Sequence, residues 1–161
     1  MRHPAVAIMS SGMFALFLAS CSTVEVTRTS ASSLIIDASA DSSCGAVGAA
    51  RVASKAAAIE TLRAGYDRYI ITSGGAADNT YQITNPGTYE TINRMRPDGT
   101  LVTRSRYIPG STSIAGSYDR SLSVEMFRQG DDGYADAIDA RSVLGPDWQR
   151  LVKEGGGHGC S

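Results

Sequence analysis

Residues 46–73 read AVGAARVASKAAAIETLRAGYDRYIITS, and this stretch decides the class of the fold. From 46 to 64 it holds no proline and is dense in alanine, the best helix former. Val52, Ala56, Ile59 and Leu62 recur at helical spacing and trace an apolar face, while Arg51, Lys55 and Arg63 mark a wet one. Asp41, Ser42 and Ser43 are N-cap residue types just upstream, and Gly65 is the expected stop. Such small side chains let a helix sit close against a sheet. Residues 66–73 then turn aromatic and β-branched, which predicts a strand ended by Gly74-Gly75.

Working outward, Leu34-Ile35-Ile36 predicts a short strand before the helix. After it, residues 79–84 form another strand candidate, and Asn85-Pro86-Gly87 is a turn. Residues 88–95 and 100–107 flank Arg96-Pro97-Asp98-Gly99, where proline presets φ and glycine accepts positive φ. This hairpin is polar on both faces and is expected to be exposed. Residues 109–113 predict a loop. Leu122, Val124 and Met126 alternate with Ser121, Ser123 and Glu125, the period of a half-buried strand. Residues 134–144 predict a helix carrying Ala137, Ile138, Ala140 and Leu144 and stopping at Gly145. Pro146 at N1 then starts a last helix holding Trp148, Leu151 and Val152. The expected class is α+β: a small, mostly antiparallel sheet with one long helix packed on it and two short C-terminal helices.

Composition narrows the function. With 161 residues, 15 Lys+Arg against 16 Asp+Glu and a net charge of -1, the chain lacks the excess cation of a nucleic-acid binder. A hydrophobic fraction of 42% is too high for a wholly disordered chain. Two histidines and three cysteines leave little material for a transition-metal site.

The N-terminus reads as an address. Residues 5–20 carry no charge and follow Arg2, a run short for a membrane span of about 20 residues but suited to a signal peptide. It ends in Leu18-Ala19-Ser20-Cys21, which resembles the lipobox of bacterial lipoproteins. The alternatives are an ordinary secretory signal or a buried apolar helix. The resemblance implies that residues 1–20 are removed and that Cys21 takes a thioether-linked diacylglycerol and a further acyl chain such as palmitate, a stable anchor. Residues 21–32, rich in Ser and Thr with few large apolar residues, read as the tether, although Val24-Glu25-Val26 could join a sheet edge, and the apolar run from Leu34 starts a single domain over residues 33–161. Ser22 after the cysteine implies sorting to the inner leaflet of the outer membrane, facing the periplasm. Cys44 and Cys160 are then left in an oxidising compartment, where an even pair reads as a disulfide. Two free thiols or an intermolecular bridge are the alternatives. Closing the 117 residues from 44 to 160 would stabilise by roughly 4–5 kcal/mol in the chain-entropy model.

The passage from Ala56 to Ile71, with its Thr61-Leu62, Gly65-Tyr66-Asp67 and Tyr69, is similar to a motif of small uncharacterised bacterial envelope lipoproteins. The resemblance implies an envelope protein with a helix-on-sheet fold and no particular activity. In it Tyr66 and Tyr69 fold back onto the helix, and Asp67 binds backbone N–H groups in the turn.

Catalytic patterns are sparse. There is no G-x-S-x-G elbow, and His158, the one histidine left after processing, sits in a glycine-rich tail. Asp131, Asp132, Asp136 and Asp139 cluster near a helix start without the EF-hand pattern, and the helix dipole accounts for them. Gly74-Gly75-Ala76-Ala77 leads into a strand and not a helix, so it cradles no phosphate. No catalytic residue, metal or cofactor is expected, and the chain reads as a non-enzyme. The expected binding surface is Tyr81, Tyr89, Arg94, Arg96, Arg104, Arg106 and Tyr107, with Tyr118 nearby, because Tyr and Arg are enriched at interfaces. The expectation is therefore a lipid-anchored binding, scaffold or sensor protein with a partner in the envelope or cell wall. An inhibitor of a cell-wall hydrolase working through an exposed loop is the alternative. An envelope enzyme would need a cleft uniting Asp and Tyr side chains.

Overall fold

The computed structural model describes residues 22–155 and 159–160, so Cys21 and His158 lie outside the described residues. The chain is α+β. A five-stranded antiparallel sheet has the order β1-β2-β8-β3-β9, from β1 (Ser22–Arg28), β2 (Ser33–Asp41), β3 (Arg68–Asp78), β8 (Ser117–Phe127) and β9 (Ile138–Asp139). Helix α1 (Gly45–Arg63) covers one face, joined by α2 (Ala140–Leu144) and α3 (Trp148–Glu154). Between β3 and β8 the chain makes a ribbon from β4 (Tyr81–Asn85), β5 (Thr88–Met95), β6 (Leu101–Ile108) and β7 (Ser111–Ala115). In it β4 pairs with β7 and β5 with β6.

The period-two pattern fills the core from the sheet side. Leu34, Ile36, Ala38 and Ala40 of β2 and Leu122, Val124 and Met126 of β8 are buried, and their alternates face away from α1. On the helix, Ala49, Val52, Ala53, Ala56, Ala57, Ala58 and Ile59 are buried, a wider face than the four expected positions because α2 and α3 pack on it too. Gly65, at φ +79, ends α1 as expected. Its N–H donates to Leu62 O and that of Tyr66 donates to Thr61 O, the two bonds of a Schellman cap. Tyr69 is the largest fully buried side chain and its hydroxyl reaches Ser54 O at 3.4 Å, so it folds back onto the helix. Tyr66 instead donates to Ala31 O, and Asp67 pairs with Arg141 at 3.1 Å, where backbone N–H partners were expected.

Five boundaries differ from those expected of the sequence. Ser22–Arg28, expected within the tether, is the edge strand β1, with Val24 packed on the core. Strand β3 runs through Gly74 and Gly75, which pair with Leu122 and Ser121, and Leu122 packs where a Cβ on Gly74 would point. Residues 111–113, expected in a loop, belong to β7, paired with β4. The helix expected over 134–144 is broken: Ala137 is extended and Ile138-Asp139 joins β3. Tyr134–Asp136 is a single 3-10 turn and only 140–144 is α-helical, with the Asp139 carboxylate accepting from Ser142 N at 2.9 Å. Pro146 precedes α3 by two residues, and Asp147 is its N-cap.

Cys44 and Cys160 are bridged, with Cα atoms 5.5 Å apart. The bridge lies over Gly48, where any Cβ would press on Cys44. It ties the end of the described chain to the start of α1.

Burial pushes the Tyr69 hydroxyl up to about 12 from the ordinary 10.0, because its charged form loses hydration. Unfolded tyrosine ionises first, so between about pH 10 and 12 the unfolded state holds fewer protons and stability falls as pH rises. The contribution is whole below pH 10 and amounts to about 2–3 kcal/mol. Denaturant titrations of wild type and Tyr69→Phe should run parallel below pH 9 and converge toward pH 12; a constant gap throughout would contradict the buried phenol.

Candidate functional site

Two surfaces stand out, and both follow from the register of β8. The first is the ribbon of residues 79–116, which leaves the main sheet where Asp78 pairs with Tyr118 and forms an arm. At about 3.3 Å per residue, the strands on either side of the tip make it roughly 50 Å long. Its root is fixed: Ser42 N donates to Gly116 O at 3.0 Å, Ser42 Oγ to Ile114 O at 2.9 Å, and Asn79 N to Ser117 O at 2.9 Å. Its tip is the expected turn, with Gly99 at φ +82, its N–H donating to Arg96 O, and the Asp98 carboxylate accepting from Thr100 N. Beyond the root, its strands are exposed on both faces almost throughout.

The register sorts the expected binding residues onto opposite faces, since cross-strand partners share a side. Tyr89 faces Tyr107, with ring centroids 5.1 Å apart, and the same uncharged face carries Thr91 opposite Ser105, Asn93 opposite Thr103 and Met95 opposite Leu101. Tyr81 sits further back, opposite Ala115 in the β4–β7 pair. The other face pairs Glu90 with Arg106, Ile92 with Arg104 and Arg94 with Val102. Ile92, Arg94, Arg96, Val102 and Arg104 line a hollow of about 320 Å³ there. The expected Tyr/Arg cluster is thus a tyrosine face and an arginine face back to back. Tyr118 is at the root, in the main sheet.

Exposure concentrates on this arm. Among the described residues, nine of the thirteen exposed large apolar side chains belong to it, Tyr89 at 75% and Met95 at 69% being the most open. Residues 79–116 hold Arg94, Arg96, Arg104 and Arg106 against Glu90 and Asp98, a net of +2 in a chain of net -1. The four described ion pairs all lie elsewhere.

The second surface was not foreseen. The sheet face opposite α1 carries small and acidic residues: Thr23 and Glu25 of β1, Asp37 and Ser39 of β2, Asp119 and Ser121 of β8, and Gly75 and Ala77 of β3. These line a groove of about 710 Å³, with Arg120 also in the lining. Glu25 and Asp37 are directly opposed across the strands, a like-charge placement that weakens a sheet. Hydrogen bonds from Ser39, whose hydroxyl donates at 2.6 Å, and then from Ser117 and Asn79 hold the Asp119 carboxyl below the usual range. The alternation in Thr23-Val24-Glu25 and Ile36-Asp37-Ala38 puts each acid on the outer face of its strand. Only the pairing of β1 with β2 brings them together.

A smaller hollow of about 230 Å³ is bordered by Tyr118, Asp78 and Asp119, but Tyr118 and Asp78 pair on the α1 side of the sheet while Asp119 is on the outer face with Ser39. Both carboxyls are held below their ordinary values by hydrogen bonds, Asp78 by those from Thr80 and Asp119 chiefly by that from Ser39. They are anions at neutral pH, not acids with a proton to give. Of the four aspartates between Gly130 and Ala140, Asp131 accepts from Arg128 N and Asp139 caps α2. Among the described residues no group of three or more His, Cys, Asp or Glu gathers at metal-binding distance. No helix of the described residues is long and apolar enough to cross a membrane. Comparison with protein-family models, curated proteins and solved structures finds no match.

Because the arm buries nothing of the core, replacing residues 80–115 with an Asn-Gly turn should leave cooperative unfolding within about 2 kcal/mol of wild type, the loss coming from the Ser42 bonds at the root. Chemical denaturation followed by Trp148 fluorescence measures this. A non-cooperative transition would show the arm to be part of the core.

Proposed function

We propose that this chain is a lipid-anchored envelope protein, held at Cys21 and facing the periplasm, whose role is to bind a protein or cell-wall partner through the arm of residues 79–116. The observation that carries the reading is the arm itself: a ribbon that adds nothing to the core yet holds most of the exposed large apolar side chains and four arginines without ion pairs. Exposed apolar surface of that extent in a folded protein marks an interaction site. Tyr and Arg, which dominate binding energy at interfaces, supply its two faces. The anchor rests on the resemblance of Leu18-Ala19-Ser20-Cys21 to a lipobox. With β1 beginning at Ser22, it would hold the sheet directly at the bilayer, without a spacer.

A second reading, inhibition of a cell-wall hydrolase, is favoured by the tip. The turn Arg96-Pro97-Asp98-Gly99 is held by three hydrogen bonds: Arg96 N to Thr100 O, Gly99 N to Arg96 O, and Thr100 N to Asp98 Oδ1. Such an ordered projection can enter an active-site cleft with little loss of entropy.

Photo-crosslinking groups placed at Tyr89 and Arg104 in cells should give discrete adducts, and one at exposed Val47 on α1 should not. Palmitate label should enter the wild type and be lost in Cys21→Ser. An adduct pattern that is the same at all three positions would contradict the arm reading, and label retained in Cys21→Ser would contradict the anchor.

A further inference from the structure

The described chain separates its charges by surface, and the two surfaces match. The arm carries +2 in a chain of net -1, so the rest of the full sequence carries -3. On the arm, Arg104 and Arg106 are two residues apart on one strand and so share a face, with Arg94 diagonal to Arg104 on the partner strand. That diagonal spans about 7–8 Å, a compact cationic face with Ile92 and Val102 between the guanidinium stems. The groove on the main sheet is the reverse. Glu25 and Asp37 are exposed and opposed, Asp119 lies along the groove from them, and the floor is Gly75, Ala77 and Ser121, with no bulky side chain to block an incoming strand. Arg120 also borders the groove, but it pairs with Ala38 and Ala76 and so projects from the α1 side of the sheet, leaving three carboxylates on the outer face.

We propose that the arginine face of one arm docks in the acidic groove of a second copy of this chain. The inference rests on the arm being the binding element and names its partner. Within a single chain the two surfaces do not meet, since the arm's cationic side is exposed and without ion pairs while the groove stands open. Docking would relieve the opposed Glu25–Asp37 pair, neither member of which has an ion-pair partner among the described residues. A near-neutral chain that gathers cations on one projection and anions on a distant face is complementary to itself. An anionic bilayer or polymer would account for the arm alone and leave the acidic groove unexplained. Because arm and groove are different patches, the contact is heterologous, and it propagates as a ring or an open row of copies along the membrane.

The test is a charge exchange on the full chain, purified in a mild non-ionic detergent. Wild type should self-associate in sedimentation velocity at low salt and dissociate as salt is raised, since exposed charges are screened. An arm variant, Arg94→Glu with Arg104→Glu, and a groove variant, Glu25→Arg with Asp37→Arg, should each remain monomeric, with association weakened by at least about a hundredfold. Mixing the two should restore association. The reversed arm then meets the reversed groove, and the native arm of the second variant meets the native groove of the first. A misfolded variant cannot be rescued by mixing, so restoration supports the proposal directly. A wild type that stays monomeric at every salt and concentration overturns it, as does association that survives arm reversal. Monomeric wild type that binds vesicles of phosphatidylglycerol through its arm also overturns it, and would leave the arm as the binding element with a lipid partner.

Discussion

Because Ala49, Ala53, Ala56 and Ala57 end at Cβ, α1 can lie close to β2, β8 and β3, and Leu34, Ile36, Leu122, Val124, Met126 and Tyr69 close into a single core beneath it. That contact aligns β8 between β2 and β3, and the alignment has two consequences. It sets which β8 residues face the helix and which line the groove. It also fixes the point at which β3 and β8 leave the sheet together as the arm. The Schellman cap at Gly65 turns the chain from α1 into β3, and the Cys44–Cys160 bridge closes the far end.

The division of labour that results is unusual in where the apolar surface goes. The core is built from small residues and a few large ones, while Tyr81, Tyr89, Ile92, Met95, Leu101 and Tyr107 stand in solvent on the arm. A sequence under selection for folding alone has no use for these side chains there, and an isolated two-stranded ribbon is marginal in water by itself. The arm persists because its root is bonded to Ser42 and continuous with the ladder of the main sheet. The same rooting presents the arginine and tyrosine faces in a fixed relation to the groove.

How much of this could be read from the residues alone divides along the range of the interactions. The helix, its glycine stop and the Arg96–Gly99 hairpin depend on neighbours within a few positions, and all three were legible. The Cys44–Cys160 pair was legible by elimination. Strand β3 was cut short at Gly74-Gly75 because those glycines look like a break until Leu122, nearly fifty residues away, is seen packed against them. Residues 134–144 have helical spacing, yet Ile138 is taken by the edge of β3, a competition that no local pattern reveals. The seven residues of the expected binding surface are legible only by type, and their division into two faces needs the register of β5 with β6. The acidic groove needed four strands in register and was missed entirely.

A helix-on-sheet core thus carries the stability of the domain and supports an arm that adds nothing to it. Native-state amide hydrogen exchange on the isolated protein tests this most directly. Amides of β2, of β8 beyond Ser121 and of β3 at residues 68–71 should exchange only by global unfolding, whereas those of β4 to β7 should exchange at least about a thousandfold faster despite their complete ladders. Equal protection in arm and core would mean that the ribbon is an integral part of the cooperative unit, and would contradict the account.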